Sequence, residues 1–210
     1  MKTIKEYIDK ARSLGACEDG LSAATTVDEI INRWPVWALR VAGCDMSPEQ
    51  RMAAVCLAAV QRDGHAIVYM TAKQRTPALC MAAVRQDGYA VEYLSAEQRT
   101  EDICLAAVEQ NGVAIRHLTP AQRSEAVCLA AVRQYGHAIA YMSAEERTEG
   151  VCLAAVRQCG HVIRQLTPAQ RTEAVCIAAV RRDPYAIEYL TPKQRTKAVL
   201  AAAAGRPKKL

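Results

Sequence analysis

The sequence contains no phenylalanine, and aromatic residues make up only 5% of its 210 residues. No apolar run approaches the ~18 residues that a membrane-spanning helix needs, and no Cys-x-x-Cys pair of the kind that binds zinc is present. The P-loop, GxGxxG and HExxH motifs are also missing. We therefore expect a core of small aliphatic side chains, no cofactor or metal, no small-molecule substrate and no enzymatic activity.

The first sixteen residues, MKTIKEYIDKARSLGA, carry charges every few positions and have no unbroken apolar segment. A secretory signal peptide needs such a segment. We therefore expect a soluble, cytoplasmic protein that does not associate with membranes.

The formal net charge of +5 is concentrated at one end of the chain. Residues 191–210 carry six basic and no acidic residues, whereas residues 47–190 carry fifteen of each. A neutral central region does not indicate a nucleic-acid surface by its overall charge. The basic tail keeps that possibility open.

A 24-residue unit, TPAQRSEAVCLAAVRQYGHAIAYM at Thr119–Met142, recurs without a slip along most of the chain. A fixed period in this range predicts a solenoid, in which small units stack and share one core. We predict an all-α solenoid with an N-terminal helical cap at residues 1–46, six full repeats at 47–190, and a truncated capping repeat with a basic tail at 191–210. The copies begin at Ser47, Thr71, Ser95, Thr119, Ser143, Thr167 and Thr191.

Each copy carries two helix-start signals. Thr119-Pro120 with Gln122 predicts a capped helical turn, and Ser124 predicts a longer helix over Glu125–Gln134. The alanine pairs favour helix over strand, and seven consecutive apolar residues predict a helix buried on nearly every side. A glycine follows in most copies, but the sixth has Pro184, so this position is predicted to open a short second helix.

The frame A-A-V-x-Q-x-G-x-A-I-x-Y is carried by Ala82-Ala83-Val84, Gln86, Gly88, Ala90, Val91 and Tyr93. It resembles an uncharacterised family of tandem helical repeats, a domain of unknown function in bacterial and some protist proteins, and the resemblance covers residues 47–204. Lys10-Ala11-Arg12 through Gly15-Ala16-Cys17 resembles the opening of short bacterial and phage-encoded proteins. These resemblances imply a helical-repeat fold and a bacterial or phage setting, and they bring no catalytic residues.

Cysteine recurs at one position of the repeat. Neighbouring members are predicted to lie about 10 Å apart, beyond the ~7 Å between Cα atoms that a disulfide tolerates. We therefore interpret them as small buried side chains, as the leucine of the seventh copy supports. Cys159-Gly160-His161 lies outside this column, and either a surface turn or part of a metal site would explain it. The column is Cys56, Cys80, Cys104, Cys128, Cys152 and Cys176, with Leu200 in the seventh place.

Two sets of arginines are the candidate binding residues. The first occupies one position in all seven copies: Arg51, Arg75, Arg99, Arg123, Arg147, Arg171 and Arg195. These arginines either cap backbone carbonyls and brace neighbouring repeats, or form a row of cations that meets a partner. The second set occupies a position that varies between copies, as expected of a tailored binding face or of plain solvent exposure: Arg133, Arg157 and Arg181.

We therefore predict non-enzymatic recognition of a macromolecule, with a protein as the expected partner. In a bacterial or phage setting, such a protein would be an inhibitor or adaptor. The alternative is nucleic-acid binding through the seven-copy arginine column and the basic C-terminal tail.

Overall fold

Each of the six full repeats folds into one α-helix and one six-residue 3-10 helix, connected to the next repeat by a tight turn. The computed structural model describes residues 48–204, so the predicted cap at residues 1–46 and the end of the basic tail lie outside the described residues. The chain divides into two compact units, Met1–Gln86 and Asp87–Leu210.

The first unit contains three described helices. They are α1 at Pro48–Arg62, the 3-10 helix η1 at Gly64–Tyr69, and α2 at Pro77–Gln86. α1 is longer than the other α-helices because the capped turn and the long helix run together in this copy. α1 and α2 pack against each other, and both contact η1.

The second unit alternates 3-10 and α-helices in the same way. Its α-helices are α3 at Glu101–Gln110, α4 at Glu125–Gln134, α5 at Glu149–Gln158, α6 at Glu173–Arg182 and α7 at Lys197–Ala204. Its six-residue 3-10 helices are η2 at Gly88–Tyr93, η3 at Gly112–His117, η4 at Gly136–Tyr141, η5 at Gly160–Gln165 and η6 at Pro184–Tyr189. The connecting turn is itself a 3-10 helix at Pro120–Gln122 and Pro192–Gln194.

Consecutive repeats of the second unit stack in two layers. Each of α3 to α6 contacts the next α-helix along the chain, and each of η2 to η5 contacts the next six-residue 3-10 helix. Valine, isoleucine, alanine and cysteine side chains from both layers fill the space between them and are almost completely buried. No strand occurs in residues 48–204. The prediction of an all-α repeat solenoid is confirmed.

The predicted start signals work as local hydrogen bonds. Thr119 and Gln122 form a reciprocal capping box around Pro120. Ser124 then caps α4, because its hydroxyl accepts the backbone N–H of Val127. The predicted helix bounds, Glu125 and Gln134, are confirmed.

The apolar run predicted long helices that are buried on nearly every side, and this prediction is wrong. In α4, Val127, Cys128, Ala131 and Val132 are buried, but Leu129 and Ala130 are half-exposed and Ala126 is exposed. Neighbouring α-helices cover two sides of α4 and the 3-10 layer covers a third. The fourth side has no covering layer in the described residues, although its side chains are apolar.

The repeated glycine opens the 3-10 helix, as Pro184 in the sixth copy predicted. Asp183 is the N-cap and Pro184 the first residue of η6, and Gly112 and Gly136 begin η3 and η4 in the same way. Glycine is required because the following repeat packs against it: a Cβ at residue 112 would lie 2.5 Å from the carbonyl oxygen of Ala131. Pro184 is tolerated because this position is exposed in the sixth copy and buried in the earlier ones.

Candidate functional site

The guanidinium group of Arg123 lies between the C-terminal ends of two consecutive 3-10 helices. Its Nε donates to the carbonyl oxygen of Leu118 at 3.0 Å, and its Nη1 donates to that of Tyr141 at 2.8 Å. The carboxylate of Glu146 lies 3.4 Å from the same Nη1, and the Arg123 side chain is only 13% exposed. Carbonyls at a helix end have no partner inside their own helix, so one arginine satisfies carbonyls from two repeats.

The same arrangement recurs through the arginine column of the second unit. Arg99 donates to the carbonyl oxygens of Leu94, His117 and Glu92 at 3.0, 2.7 and 3.1 Å. Arg147 donates to those of Met142 and Gln165, and Arg171 to those of Leu166 and Tyr189. The planar five-donor guanidinium suits this task, whereas a lysine ammonium has no fork to span the carbonyls. This geometry supports the bracing interpretation of the column, and its use for partner binding stays a prediction.

Two arginines of the column are more exposed. Arg195 donates its Nε to the carbonyl oxygen of Leu190 at 3.1 Å and is exposed, because α7 is the last described helix of the second unit. Arg51 lies within α1 and is also exposed. Arg75, in the first unit, bonds the carbonyl oxygen of Met70 at 3.1 Å through its Nε, as the others do.

Two further sets of hydrogen bonds join neighbouring repeats. The capping hydroxyl of Thr172 donates to a carboxylate oxygen of Glu149 at 2.7 Å, and Ser124 donates to Glu101 at 2.8 Å. The backbone N–H of Gly112 donates to Oε1 of Gln134 at 2.7 Å. The recurring glutamate and glutamine were visible in the sequence, but their partners lie in the adjacent copy, 22 or 23 residues away. Only the stacking register reveals those pairs.

The second arginine set lies on the uncovered side of the long helices. We call this surface the helix face. It consists of Ala126, Leu129, Ala130 and Arg133 of α4, Gly150, Leu153, Ala154 and Arg157 of α5, and Ala174, Ile177, Ala178 and Arg181 of α6. Its three arginines are exposed, and their guanidinium groups make no hydrogen bond or ion pair with any residue of the described part of the chain. The structure therefore brings together three of the predicted site residues on one surface.

Shallow grooves run between neighbouring helices of this face. The groove between α4 and α5, about 490 Å³, is lined by Leu129, Arg133, Ala154 and Arg157. The groove between α5 and α6, about 520 Å³, is lined by Leu153, Arg157, Ile177 and Arg181. Arg157 borders both grooves. The apolar floor, formed by the leucine, isoleucine and alanine side chains, and the basic edge, formed by the arginines, therefore continue from one groove into the next.

The glutamates that begin α4 and α5 are already engaged in hydrogen bonds. Glu125 and Glu149 begin α4 and α5, one turn before Leu129 and Leu153. They accept hydrogen bonds from the capping hydroxyls of Thr148 and Thr172 at 3.2 and 2.7 Å. The helix face itself contains no acidic side chain, and Glu109 occupies in α3 the repeat position that Arg133 occupies in α4.

The cysteine column is buried in the second unit, as predicted. The thiol of Cys128 donates to the carbonyl oxygen of Arg123 at 3.7 Å, and Cys104, Cys152 and Cys176 donate to the corresponding arginine carbonyls. Burial raises the pKa of the Cys128 thiol from its ordinary value of 9.0 to about 11, and it raises the pKa of the other three. A protonated, buried thiol is a poor nucleophile, so these cysteines are structural.

The raised thiol pKa values predict a loss of stability at alkaline pH. Between pH 9 and 11 the unfolded chain ionises its thiols first, so the folded state holds more protons and the free energy of unfolding falls as pH rises. Thermal unfolding followed by circular dichroism should show a stable Tm up to about pH 8.5 and a steep fall above it. Cys128→Ala should melt lower at neutral pH yet lose less between pH 9 and 11. An equally steep fall in that variant would contradict the thiol explanation.

Cys159 and His161, predicted to form a surface turn or part of a metal site, make contacts with two different residues. His161 pairs with the carboxylate of Asp183, while the thiol of Cys159 faces His137 of the preceding repeat. Within residues 48–204, no group of three or more histidine, cysteine, aspartate or glutamate side chains is placed to hold a metal ion. Nor does any helix of that range have the length and apolar character needed to cross a bilayer.

Comparison with known proteins relates part of the chain to a protein family. Residues 77–123, which amount to about two repeats, match the family model described as a domain of unknown function, DUF4116. No curated protein and no solved structure matches the chain. Over two of its repeats, the chain is thus similar to a family whose function is not known.

Proposed function

We propose that the protein binds another protein through the helix face of α4, α5 and α6, without catalysis. The observation that supports this most directly is the combination of apolar floor and unengaged arginines on a face that no other described element covers. Exposed apolar surface lined by arginine is typical of protein interfaces, where arginine is enriched among the residues that dominate affinity.

The chemistry of the face specifies the chemistry of the partner. Leu129, Leu153 and Ile177 offer apolar contacts, and Arg133, Arg157 and Arg181 offer three guanidinium groups at one end of the helices. A guanidinium binds a carboxylate with two parallel hydrogen bonds. The partner is therefore an acidic segment with apolar side chains beside its carboxylates.

The stacking distance also sets the spacing of those carboxylates. Neighbouring packed helices lie about 8–10 Å apart, so successive arginines of the face are separated by about that distance. Seven residues of an α-helix rise about 10.5 Å and return to nearly the same side. An amphipathic helix that crosses α4 to α6 with an acidic residue at every seventh position would meet all three arginines.

Nucleic-acid binding is the second candidate, and the basic tail supports it. Lys193 and Lys197 are exposed, and they begin a stretch of six basic residues with no acidic one. The arginine column, which this alternative also requires, is largely engaged with backbone carbonyls. A phosphate backbone would also gain nothing from the apolar floor of the helix face.

A binding experiment with two matched variants tests the proposal. The first variant is Arg133→Glu with Arg157→Glu and Arg181→Glu, and the second is Arg116→Glu with Arg164→Glu and Lys193→Glu. Both change three exposed basic residues of the second unit by the same total charge, but the second leaves the helix face intact. The parent protein is immobilised and used to capture proteins from host lysate treated with nuclease. Each captured protein is then purified and titrated with the parent protein and with both variants.

The expected result is that the first variant loses at least about 100-fold in affinity, because each reversed arginine turns an attractive pair into a repulsive one. The second variant should bind within about threefold of the parent. Equal loss in both variants would show that general charge, not the helix face, governs binding. Loss of the partner on nuclease treatment, with a steep fall in affinity between about 50 and 200 mM salt, would instead support the nucleic-acid alternative.

The setting of this activity belongs to the same proposal. The likeness of the N-terminal residues to short bacterial and phage-encoded proteins supports a bacterial or phage origin, and we propose a cytoplasmic location with it. In that setting a non-catalytic protein with one binding face would act as an inhibitor or adaptor of its partner.

A further inference from the structure

Cys159 differs from the other described cysteines. Six of them are buried within α-helices, whereas Cys159 is partly exposed between α5 and η5. Its Sγ lies 3.5 Å from Nε2 of His137, which belongs to the preceding repeat. On the opposite side of the ring, Nδ1 of His137 lies 2.9 Å from the amide of Gln165. The imidazole is thus held between a thiol and an amide.

Both partners of His137 depart from the repeat. The position of Cys159 is filled in four other copies by Asp63, Asp87, Asn111 and Asp183, whose side chains accept a backbone N–H and cap the 3-10 helix, and in the fourth copy by Tyr135, which makes no capping bond. Cys159 makes no such bond, so capping does not account for a thiol here. Gln165 occupies a position that holds tyrosine or histidine in the other full copies. The two departures lie in one copy and converge on one ring.

The next repeat interface shows what this position does when an aspartate fills it. The carboxylate of Asp183 contacts Nδ1 of His161, and the ring of Tyr189 lies edge-on to the same imidazole, 5.8 Å between centroids. Relative to His137, Cys159 and Gln165 occupy the same positions of the next repeat that Asp183 and Tyr189 occupy relative to His161. The register therefore places an acidic group against a histidine at both interfaces, and at one of them that group is a thiol.

We propose that Cys159 is a nucleophilic thiol, assisted by His137 as general base, and that it is a site of covalent modification by small alkylating electrophiles. In the reaction, Nε2 of His137 takes the thiol proton while Sγ forms a bond to the electrophilic carbon. The bond from that carbon to the leaving group breaks, and the leaving group departs with the electron pair. No oxidation or reduction is involved, and the proton stays on the imidazole.

Gln165 supplies the orientation that this step needs. For Nε2 to accept a proton, Nδ1 must carry the other one and donate it to an acceptor. The Oε1 atom of Gln165 is buried and has no hydrogen-bond partner in the described residues. Rotation of the amide by half a turn brings Oε1 to Nδ1, and the two orientations of a glutamine amide fill the same space.

Iodoacetamide is the probe, applied to the folded full-length protein at pH 7.5 and followed by site-resolved mass spectrometry. The reference is the same cysteine in a synthetic peptide of residues 153–160, which contains no histidine. We expect Cys159 to react at least about tenfold faster in the protein than in the peptide, because general-base assistance contributes at least that much. A rate equal to or below that of the peptide would overturn the proposal.

His137→Gln tests the base, and His161→Gln is its matched control one repeat later. We expect His137→Gln to slow alkylation of Cys159 by about tenfold and His161→Gln to leave it unchanged. An unchanged rate in His137→Gln would overturn the role of the imidazole. The buried cysteines of the column report on folding in the same spectrum, because they are labelled only if the protein unfolds. If they become labelled in His137→Gln, that variant is unfolded, and the comparison of the parent protein with the peptide tests the proposal instead.

Discussion

Replacing Gly112 with alanine is expected to destabilise the protein by about 2–4 kcal/mol, although it adds only one methyl group. That methyl would lie 2.5 Å from the carbonyl oxygen of Ala131 and 2.8 Å from Oε1 of Gln134, both in α4. The backbone at Gly112 does not require the left-handed conformation, so the cost comes from contact alone. To accept the methyl, η3 and α4 must move apart.

The movement also costs a hydrogen bond. Gln134 accepts the backbone N–H of Gly112 at 2.7 Å, and separation of the two helices leaves that N–H without a partner. For a chain of this length, Tm should fall by about 5–15 °C in a thermal melt followed by circular dichroism. Because repeats are stabilised by their neighbours, loss of one interface should also broaden the transition or split it in two.

Gly150→Ala is the matched control for this prediction. The same methyl at residue 150, in the first turn of α5, would have no atom closer than 3.8 Å. Alanine lowers the entropic cost of ordering a helix, so Gly150→Ala should raise stability by up to about 1 kcal/mol. If Gly112→Ala melts within about 2 °C of the parent protein, the close approach between η3 and α4 is not what requires glycine.

The architecture could be predicted because local signals and the period agree. The Ser124 cap, the alanine pairs and the position of Pro184 gave the helix bounds and the short second helix correctly. Each of those signals acts within a few residues of the chain. The repeat then implied stacking, because one such unit cannot bury its own apolar side chains.

The exposure of the helix face could not be predicted in the same way. Ala126 and Leu129 belong to an unbroken apolar run, and a run without polar positions carries no periodicity to show which side faces solvent. The contact between Cys159 and His137 was hidden for another reason. The two residues are 22 positions apart, and only the register of one repeat on the next brings them together.

The role of the arginine column was open in the sequence because both interpretations require the same residue in every copy. The distances supply what the pattern lacked, since Arg99, Arg123 and Arg147 each reach carbonyl oxygens of two repeats. Arg133, Arg157 and Arg181 differ because they vary between copies and contact no carbonyl in the described residues. In this protein, the arginine position that is the same in all copies is used to join repeats, and the position that varies between copies lies on exposed surface.

Replacing Arg99, Arg123 and Arg147 together with alanine is expected to abolish cooperative thermal unfolding. Each substitution removes charge-assisted hydrogen bonds to partly buried carbonyls and costs about 2–4 kcal/mol, so the sum approaches the whole stability of a typical protein. Arg123→Lys alone should lower Tm by about 5–10 °C, because one ammonium cannot reach the carbonyls of both Leu118 and Tyr141.

The matched variant replaces Arg133, Arg157 and Arg181 with alanine and should melt within about 2 °C of the parent, because exposed side chains without partners contribute little to stability. Melting and partner affinity measured on both triple variants separate the two roles. If the column variant kept its Tm and lost its partner, those guanidinium groups would be binding groups and the bracing interpretation would be wrong. The other outcome is that the column variant unfolds while the helix-face variant stays folded and loses its partner. In that case the arginines of the column hold the repeats together, and the arginines of the helix face bind the partner.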